Sequence, residues 1–255
     1  MNIIYGPVAS WRLGRSLGVD VICTKNKICS FDCTYCQLQH TERITTQQEA
    51  FINPQEMKLE LSQALQETTA DVVTLSGMGE PTLASNLKDI IQGIRETTDL
   101  PIALLTNSTL LYRSEKQNIL QAIDIIVAKL DAPNATIFQK INRPAPGITF
   151  EQTLKGIKDM RKKFSGRFDL QMMFIKENQH LAQDMAECAR TIEPDVIQLN
   201  TPLRPCPVKP LSEQSMDEIE TYFSNLHTIS VYHSEKPKTD PLDKLELIQR
   251  RRMEK

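Results

Sequence analysis

The chain has 255 residues, of which 40% are hydrophobic and 24% charged, so its composition excludes a disordered or a fibrous protein. The formal net charge of −2 excludes a field over the whole molecule that would attract a polyanion, so contacts with nucleic acid would need local patches. The length is close to that at which one barrel of alternating strands and helices closes. We therefore expect a single domain over residues 1–255.

The amino-terminal region and the cysteines predict a cytoplasmic protein without membrane contacts. Residues 1–21 contain no apolar run of signal-peptide length, and no later stretch approaches the roughly 18 apolar residues of a membrane-spanning helix. Three of the six cysteines fall within eight residues. This spacing suits a metal site in a reducing compartment better than it suits disulfide bonds.

Short apolar, β-branched runs alternate along the chain with longer amphipathic stretches, a pattern typical of strand–helix units around a parallel sheet. Six strands are predicted, at Gly18–Cys23, Asp71–Ser76, Pro101–Asn107, Asp124–Leu130, Phe168–Ile175 and Asp195–Asn200. Six units predict an α/β fold, a partial (βα)6 barrel with parallel strands. Its core would span about residues 18–205, followed by a carboxyl-terminal extension over residues 206–255.

Helix start signals lie between the predicted strands. Asn53, Pro54 and Glu56 are an N-cap, a first-position proline and a capping-box acid, and they predict a helix that ends at about Thr68. The other predicted helices begin at Ser114; at Thr149, ending near Phe164; at Ser215, with Glu218 as its capping-box acid, ending near Leu226; and near Leu245, running towards Lys255.

Polar and glycine residues follow the predicted strands at their carboxyl ends, where barrels of parallel strands place their chemistry. Three cysteines, Cys29, Cys33 and Cys36, lie in the loop after the first strand. Further candidates at the ends of later strands are Gly77, Gly79, Glu80, Asn107, Lys129, Asp131 and Asn200. We expect all of these residues to meet at one rim of the barrel.

The three cysteines have the spacing C-x3-C-x2-C, and three thiolates on one loop favour an iron–sulfur cluster, zinc or copper(I). Zinc is the weaker interpretation because a fourth ligand is missing. Cys188 falls in a predicted helix, Cys206 stands alone in a loop, and the nearest histidine is His40. A four-iron cluster held by three cysteines would leave one iron open to a small molecule.

With Tyr35 in its aromatic position, the C-x3-C-x-aromatic-C spacing resembles the signature of the radical S-adenosylmethionine (SAM) enzymes. The segment from Ser76 to Pro81 is similar to the Gly-Gly-Glu segment of that superfamily, with Met78 interrupting the glycine pair. The resemblance implies a [4Fe–4S] cluster on the cysteines and SAM on its open iron. It also implies reductive cleavage of SAM to a 5′-deoxyadenosyl radical that abstracts hydrogen from a substrate.

Five further segments resemble the branch of this superfamily that is related to the tRNA wyosine-base synthases: residues 5–18, 36–38, 129–132, 141–144 and 199–202. That branch implies a tRNA nucleoside as substrate and an electron donor such as flavodoxin or ferredoxin. Archaeal wyosine-type synthases carry an additional amino-terminal cysteine set, whereas only Cys23 precedes the three clustered cysteines here.

The resemblance also implies SAM-binding roles, while the residue that acts on the substrate is unknown. The methionine ammonium would be bound by Gly77, Gly79 and Glu80, the carboxylate and ribose by Asn107, Lys129 and Asp131, and the adenine by Tyr35 and Asn200. Structural explanations compete with these roles. Glu80 could begin a helix, Asn107 could form an Asx turn, and Lys129 and Asp131 could be a surface ion pair.

Two other classes of function stay open. The chain could modify a peptide or protein side chain by the same chemistry, or it could be a non-catalytic iron–sulfur carrier. If tRNA is the substrate, phosphate contacts would have to come from the basic runs Arg161–Lys163 and Arg250–Arg252, with Arg12 and Arg15 near the barrel mouth. Otherwise such runs are most often solvated faces.

Overall fold

The computed structural model describes residues 2–251. Arg252 and the last residues of the predicted carboxyl-terminal helix lie outside this range. Its strands are β1 (Ile4–Ser10), β2 (Gly14–Asp20), β3 (Ile28–Cys29), β4 (Arg43–Ile44), β5 (Val72–Ser76), β6 (Ile102–Thr106), β7 (Ile125–Lys129), β8 (Arg167–Met173), β9 (Val196–Asn200) and β10 (Thr228–Ser230). Its α-helices are α1 (Pro54–Glu67), α2 (Leu87–Arg95), α3 (Ser114–Ile119), α4 (Ala135–Asn142), α5 (Phe150–Lys163), α6 (Ala182–Ile192), α7 (Glu213–Thr221) and α8 (Lys244–Arg251).

Eight strands form one curled sheet in the order β1-β2-β5-β6-β7-β8-β9-β10, and β3 pairs with β4 separately. Every neighbouring pair in the large sheet is parallel except β1 with β2. The predicted partial barrel is therefore confirmed, with two strands more than the six predicted. The sequence pattern missed β1 because Gly6 and Pro7 interrupt its apolar run, and β10 because it has three residues.

Alternation along the strands gives the sheet an apolar outer face and a more polar inner face. Leu17, Val73 and Leu75 belong to the main hydrophobic core, which also contains the buried faces of the helices. Their neighbours Ser16 and Thr74 line a cavity on the inner side of the sheet. Because successive residues of a strand point to opposite faces, one run of residues both supports the helices and lines the barrel interior.

The first predicted strand, Gly18–Cys23, is shifted in the structure to Gly14–Asp20. The Asp20 carboxylate accepts hydrogen bonds from the backbone N–H groups of Ile22 and Cys23, at 3.2 and 2.8 Å. These bonds turn the chain out of the sheet after Asp20, so the apolar residues that follow do not extend the strand.

Helix starts follow the predictions at three places and differ at one. Asn53 accepts a hydrogen bond from Gln55 N, and Thr149 accepts one from Gln152 N, as N-caps do. The prediction of an N-cap at Ser215 was wrong, because Ser212 is the cap and Ser215 N donates to its Oγ at 3.2 Å. Ser114 is the first residue of α3, and the cap position is Arg113.

The carboxyl-terminal segment returns to the first strands of the sheet. Leu242 N donates a hydrogen bond to Gly6 O at 2.7 Å, and Arg250 forms an ion pair of 2.5 Å with Asp20. Arg250 is therefore buried, and the prediction that it belongs to a solvated face or contacts phosphate is wrong. Within residues 2–251, no helix combines the length and apolar character needed to cross a membrane.

Candidate active site

The three clustered cysteines lie on one loop beside the carboxyl ends of the barrel strands. Cys29 ends β3 and is buried, while Cys33 and Cys36 are half-buried and joined by a turn in which Cys36 N donates to Cys33 O. Burial raises the pKa of the Cys29 thiol to about 12 and that of Cys33 to about 11. Both are therefore neutral thiols at pH 7 unless a metal displaces the proton.

The spacing of the three sulfurs fits a multi-iron cluster better than a single metal ion. Among the described residues, the set of three His, Cys, Asp or Glu side chains whose ligand atoms all lie within 4.8 Å of one another is Asp217, Glu220 and His233, and not the three cysteines. A tetrahedral zinc ion, with Zn–S bonds of about 2.3 Å, would need its sulfurs closer together than this. Three soft donors that stand farther apart suit a cluster that spans several iron atoms.

Donor groups surround the cysteine sulfurs. Asn107 Nδ2 lies 3.5 Å from Cys29 Sγ, and Asn142 Nδ2 lies 3.6 Å from Cys33 Sγ. Lys27 is buried beside the same loop. Burial lowers the pKa of its ammonium group, but the nearby sulfurs of Cys36 and Cys29 raise it by more, so the net pKa of Lys27 is raised. Amide donors and a buried cation favour negatively charged thiolates, so these surroundings fit a cluster on the three cysteines.

The glycine segment after β5 packs its backbone against the start of the cysteine loop. Gly79 has φ of +154°, and a Cβ there would lie 1.6 Å from Ile28 O. Gly77 has φ of +125°, and a Cβ there would lie 1.9 Å from the Asp20 carboxylate. Both positions therefore require glycine. Ile28 N donates to Met78 O at 3.0 Å, which fixes the two loops together.

Glu80 is buried at this junction and begins a short 3-10 helix at Pro81. Its Oε1 accepts hydrogen bonds from the N–H and hydroxyl of Thr82 and from the hydroxyl of Thr106, and its Oε2 accepts one from Asn107 N. The helix-start explanation of Glu80 is thus confirmed. Oε2 accepts one hydrogen bond against three at Oε1, so Oε2 is the oxygen that a further donor would approach. Pairing with the SAM ammonium stays a prediction.

Asp131 lies in a buried hydrogen-bond network. The alternative interpretation, in which Asp131 and Lys129 form an ion pair at the surface, is therefore wrong. The Asp131 side chain is 1% exposed, its Oδ2 accepts a short hydrogen bond from the Tyr35 hydroxyl, and its Oδ1 accepts one from Met173 N at 2.8 Å. Lys129 Nζ lies 3.7 Å from Asp131 and 5.0 Å from the centre of the Tyr35 ring. The network fixes Tyr35, and burial together with Asp131 raises the pKa of its hydroxyl well above the usual value.

A cavity of about 230 Å³ brings most of the predicted site residues together. It is lined by Cys29, Cys33, Cys36, Tyr35, Gly79, Glu80, Asn107, Lys129 and Asn200. Gly77 lines a neighbouring cavity of about 250 Å³, and Asp131 is not among the lining residues of either. The predicted Asx turn at Asn107 is also present, because Asn107 Oδ1 accepts a hydrogen bond from Thr109 N. Asn107 therefore both stabilises its own loop and lines the cavity.

Three further cations line the cavity: Arg12, which the sequence placed near the barrel mouth, and Lys27 and Arg204, which sequence reasoning missed. Lys27 lies two residues before Cys29, and this closeness was the one signal that could have identified it. Arg12 and Arg204 come from distant parts of the chain and are brought together by the curl of the sheet, which periodicity does not predict.

Comparisons with known proteins identify the family to which this chain is similar. The model of the radical SAM superfamily matches residues 25–189. The UPF0026 protein slr1464 of Synechocystis is 41% identical over 212 residues, covering 81% of this chain and 77% of that protein. The structure of Streptococcus suis SuiB bound to its precursor peptide SuiA has a TM-score of 0.66 at 14% identity, covering 86% of this chain.

An archaeal TYW1 structure has a TM-score of 0.56 at 13% identity and covers 84% of this chain and 72% of that one. At these identities the solved structures show the fold alone, and the chain spans 49% of the SuiB chain. The match of the family model and the identity to slr1464 show that the chain belongs to the radical SAM superfamily, whose cofactors are a [4Fe–4S] cluster and SAM.

Proposed function

We propose that this protein is a radical SAM enzyme that abstracts hydrogen from a nucleoside of tRNA. The observation that carries the enzyme class is the loop of three cysteines at the mouth of a half-barrel with a polar interior. When bound, the cluster and SAM supply a 5′-deoxyadenosyl radical by reductive cleavage. A one-electron donor such as flavodoxin or ferredoxin is the expected partner.

The residues of this chain have separable tasks in that proposal. Cys29, Cys33 and Cys36 hold the cluster, and the amides of Asn107 and Asn142 donate to two of the sulfurs. Oε2 of Glu80 is the acceptor that suits the ammonium of SAM. Lys129, held by Asp131, places a positive charge at the cavity where a carboxylate can be bound.

The substrate is the less constrained part of the proposal. The segments shared with the wyosine-synthase branch and the fold likeness to archaeal TYW1 support a tRNA nucleoside. A peptide is the second candidate, because the fold likeness to SuiB with its bound precursor peptide has the higher TM-score, 0.66.

The basic cluster Arg161–Lys163 is less suited to contact tRNA phosphates near the site than its sequence suggested. It ends α5 and therefore lies towards the amino-terminal edge of the sheet, opposite the cysteine loop. Arg161 is paired with Asp195 at 3.0 Å and donates to Glu193 O, which leaves Lys162 and Lys163 exposed. Phosphate contacts near the site would have to come from other cations.

The enzyme class is tested by supplying SAM and dithionite to the anaerobically reconstituted protein and measuring 5′-deoxyadenosine by chromatography. We expect product from the wild type and from Cys188→Ser, whose sulfur lies in α6, and none from Cys29→Ser, Cys33→Ser or Cys36→Ser. Product from all three variants, or none from the wild type with a full complement of iron, would contradict the proposal.

The substrate is tested with tRNA prepared from cells that lack the gene. We expect this tRNA to acquire a nucleoside of changed mass in the complete reaction, whereas tRNA from wild-type cells does not. A change of mass in a peptide fraction from the same cells, with unmodified tRNA, would favour the peptide candidate and exclude tRNA.

A further inference from the structure

The cavity of about 250 Å³ that neighbours the cysteine loop is lined in part by the β1–β2 hairpin and by strands β5 and β6. It shares Leu38, Gly79 and Leu105 with the cavity at the cysteine loop, so the two cavities adjoin. The hairpin spans residues 4–20, whereas the superfamily model matches residues 25–189. This wall of the cavity therefore lies outside the part of the chain that the superfamily model matches.

Ser16 of β2 and Thr74 of β5 line this cavity as a pair of hydroxyl groups. Their oxygens lie 2.6 Å apart, and the two residues are 6% and 2% exposed. Two hydroxyl groups carry two protons, and a hydrogen bond between them uses one. Within residues 2–251 neither hydroxyl makes another hydrogen bond, so the pair keeps one buried O–H donor without an acceptor. A buried donor in this state favours a ligand that brings an acceptor.

Ser10, at the end of β1, adds a second donor to the cavity. Its Oγ accepts hydrogen bonds from the backbone N–H groups of Arg12 and Leu13, at 3.3 and 3.2 Å. Because both lone pairs of the oxygen are engaged, this hydroxyl has its proton left to offer to a ligand. The cavity thus presents two O–H donors, and its described lining contains no carboxylate and no side-chain amide.

Most of the remaining side chains that line the cavity are apolar: Val8, Leu13, Leu38, Met78 and Leu105. Arg250 also lines it and is paired with Asp20. Arg12 and Arg204 have interaction partners as well, so the charges at this cavity do not indicate an anionic ligand. Apolar walls with a few placed hydrogen-bonding groups are typical of pockets that bind small, uncharged ring systems.

We propose that this cavity binds the base of the substrate nucleoside, whose carbonyl oxygen accepts a hydrogen bond from Ser10 or from the Ser16–Thr74 pair. This inference rests on the proposed function, because it names the part of the tRNA nucleoside that the enzyme recognises. Pockets for drug-sized ligands measure about 300–1,000 Å³, so a cavity of 250 Å³ suits a single planar base. Since the two cavities adjoin, a base bound here holds its ribose beside the cavity at the cysteine loop.

The test is equilibrium dialysis of the reconstituted, SAM-loaded protein with radiolabelled uridine and guanosine. Ribose and N-acetylalanine methylamide are the comparison probes, one without a base and one with the carbonyl groups of a peptide. The test variant is Ser16→Ala combined with Thr74→Val, which removes both hydroxyls. A matched variant, Ser16→Thr combined with Thr74→Ser, exchanges one methyl group between the two positions and keeps both hydroxyls.

Thr153→Val controls for the loss of a buried threonine hydroxyl elsewhere. Thr153 lies in α5, is 1% exposed and donates to Thr149 O at 2.9 Å. We expect saturable binding of at least one nucleoside and none of ribose. The variant without hydroxyls should bind that nucleoside about threefold to tenfold more weakly, which corresponds to one neutral hydrogen bond. The matched variant, the control and the affinity for SAM should stay unchanged.

Four results would overturn the inference. They are binding of neither nucleoside, undiminished binding by the variant without hydroxyls, tighter binding of the peptide probe than of either nucleoside, and an equal loss of SAM affinity in the variant without hydroxyls. The last result would assign the hydroxyl pair to SAM. Binding that the matched variant also loses would show that packing, and not the hydroxyls, is responsible.

The inference and the proposed function can fail separately. If the wild type cleaves SAM but binds neither nucleoside, the base site is wrong and the enzyme class stands. If it binds a nucleoside through the hydroxyl pair but forms no 5′-deoxyadenosine at full iron content, the enzyme class is wrong and the base site stands.

Discussion

Glu80 combines a structural and a binding role in one carboxylate. Four hydrogen bonds from Thr82, Thr106 and Asn107 hold it between two loops that both line the cavity. Burial raises its pKa despite these donors, so the bonds offset part of the free-energy cost of a buried charge. A substitution here therefore changes the position of the loops as well as the charge.

We expect Glu80→Gln to weaken SAM binding by about tenfold or more and to lower the melting temperature. Stability falls because the amide nitrogen of glutamine cannot accept the hydrogen bonds that a carboxylate oxygen of Glu80 accepts. SAM affinity falls because the loss of the negative charge removes a charge-assisted hydrogen bond of about 1.5–3 kcal/mol. Calorimetry with SAM and thermal unfolding measure the two effects. Thr106→Val is the control, because it removes one donor and keeps the charge. Unchanged SAM affinity in Glu80→Gln would leave Glu80 with its structural role alone.

Asn142 gives a second prediction at the level of single residues. Its Nδ2 donates to Cys33 Sγ and also to the Tyr35 hydroxyl, at 2.9 Å. Hydrogen bonds to ligand sulfurs stabilise the reduced, more negative state of a cluster. We therefore expect Asn142→Leu to lower the midpoint potential of the reconstituted cluster by an amount on the order of tens of millivolts.

A redox titration followed by electron paramagnetic resonance measures this potential. Asn86→Leu is the matched control, because Asn86 is half-buried and donates to Ile52 O instead of a sulfur. A potential in Asn142→Leu equal to that of the wild type would show that this amide does not influence the cluster.

Sequence reasoning found the residues whose spacing is itself the signal, and missed those whose role depends on folding. The cysteines are neighbours in the chain, so their spacing predicted a shared site, and the structure places all three on one loop that lines the cavity. Asn142 ends α4, more than a hundred residues after Cys33, and no local pattern marks it. The same holds for Arg204.

At the level of elements, Asp20 connects three parts of the chain. Its Oδ1 accepts from the N–H groups of Ile22, Cys23 and Met78, and its Oδ2 pairs with Arg250 of α8. Arg250 also stacks over the Tyr5 ring at 4.8 Å. The carboxyl-terminal helix is thus in direct contact with the carboxylate that holds the glycine segment after β5.

We expect Arg250→Met to lower the free energy of unfolding by about 3–5 kcal/mol, because it leaves the Asp20 carboxylate buried without its cation. Adding Asp20→Asn should restore much of this loss, since an amide oxygen can still accept the three backbone hydrogen bonds. Urea unfolding of both single variants and the double variant measures the coupling. A loss below about 1 kcal/mol in Arg250→Met would show that the pair contributes as little as a surface ion pair.

We expect His233 to make the stability of the carboxyl-terminal region depend on pH. Its Nε2 lies 2.7 Å from Asp217 of α7, and this hydrogen bond, with the charges of Asp217, Glu213 and Glu220, raises the histidine pKa. A raised folded-state pKa means that the stabilisation is complete below the unfolded value of about 6.5 and is lost as pH rises through the folded value.

We therefore expect His233→Gln to lower the melting temperature relative to the wild type at pH 6, with the difference shrinking as pH rises towards 9. Thermal unfolding over this range measures it, and His180→Gln, at another exposed histidine, serves as the control. A difference between His233→Gln and the wild type that does not change with pH would exclude the protonated pair as its cause.

At the level of the whole molecule, the alternation of strands and helices predicted the fold class because each apolar strand run packs against helices. Val73 and Leu75 are fully buried in the main core, and such buried runs are what periodicity detects. The polar inner face gave no comparable signal. Ser16 and Thr74 are ordinary strand residues in sequence, and only the curl of the sheet directs them, 2.6 Å apart, towards one interior.

The half-barrel has an open edge at β1, and its carboxyl-terminal segment covers part of that edge. A sheet that does not close ends in strands whose free backbone groups can recruit another chain, and β1 is such an edge. Two features protect it: Pro7 has no N–H to offer, and Gly6 O already accepts from Leu242 N. We therefore expect the residues that follow the barrel to limit edge-to-edge association as well as to add stability, because they cover part of the β1 edge.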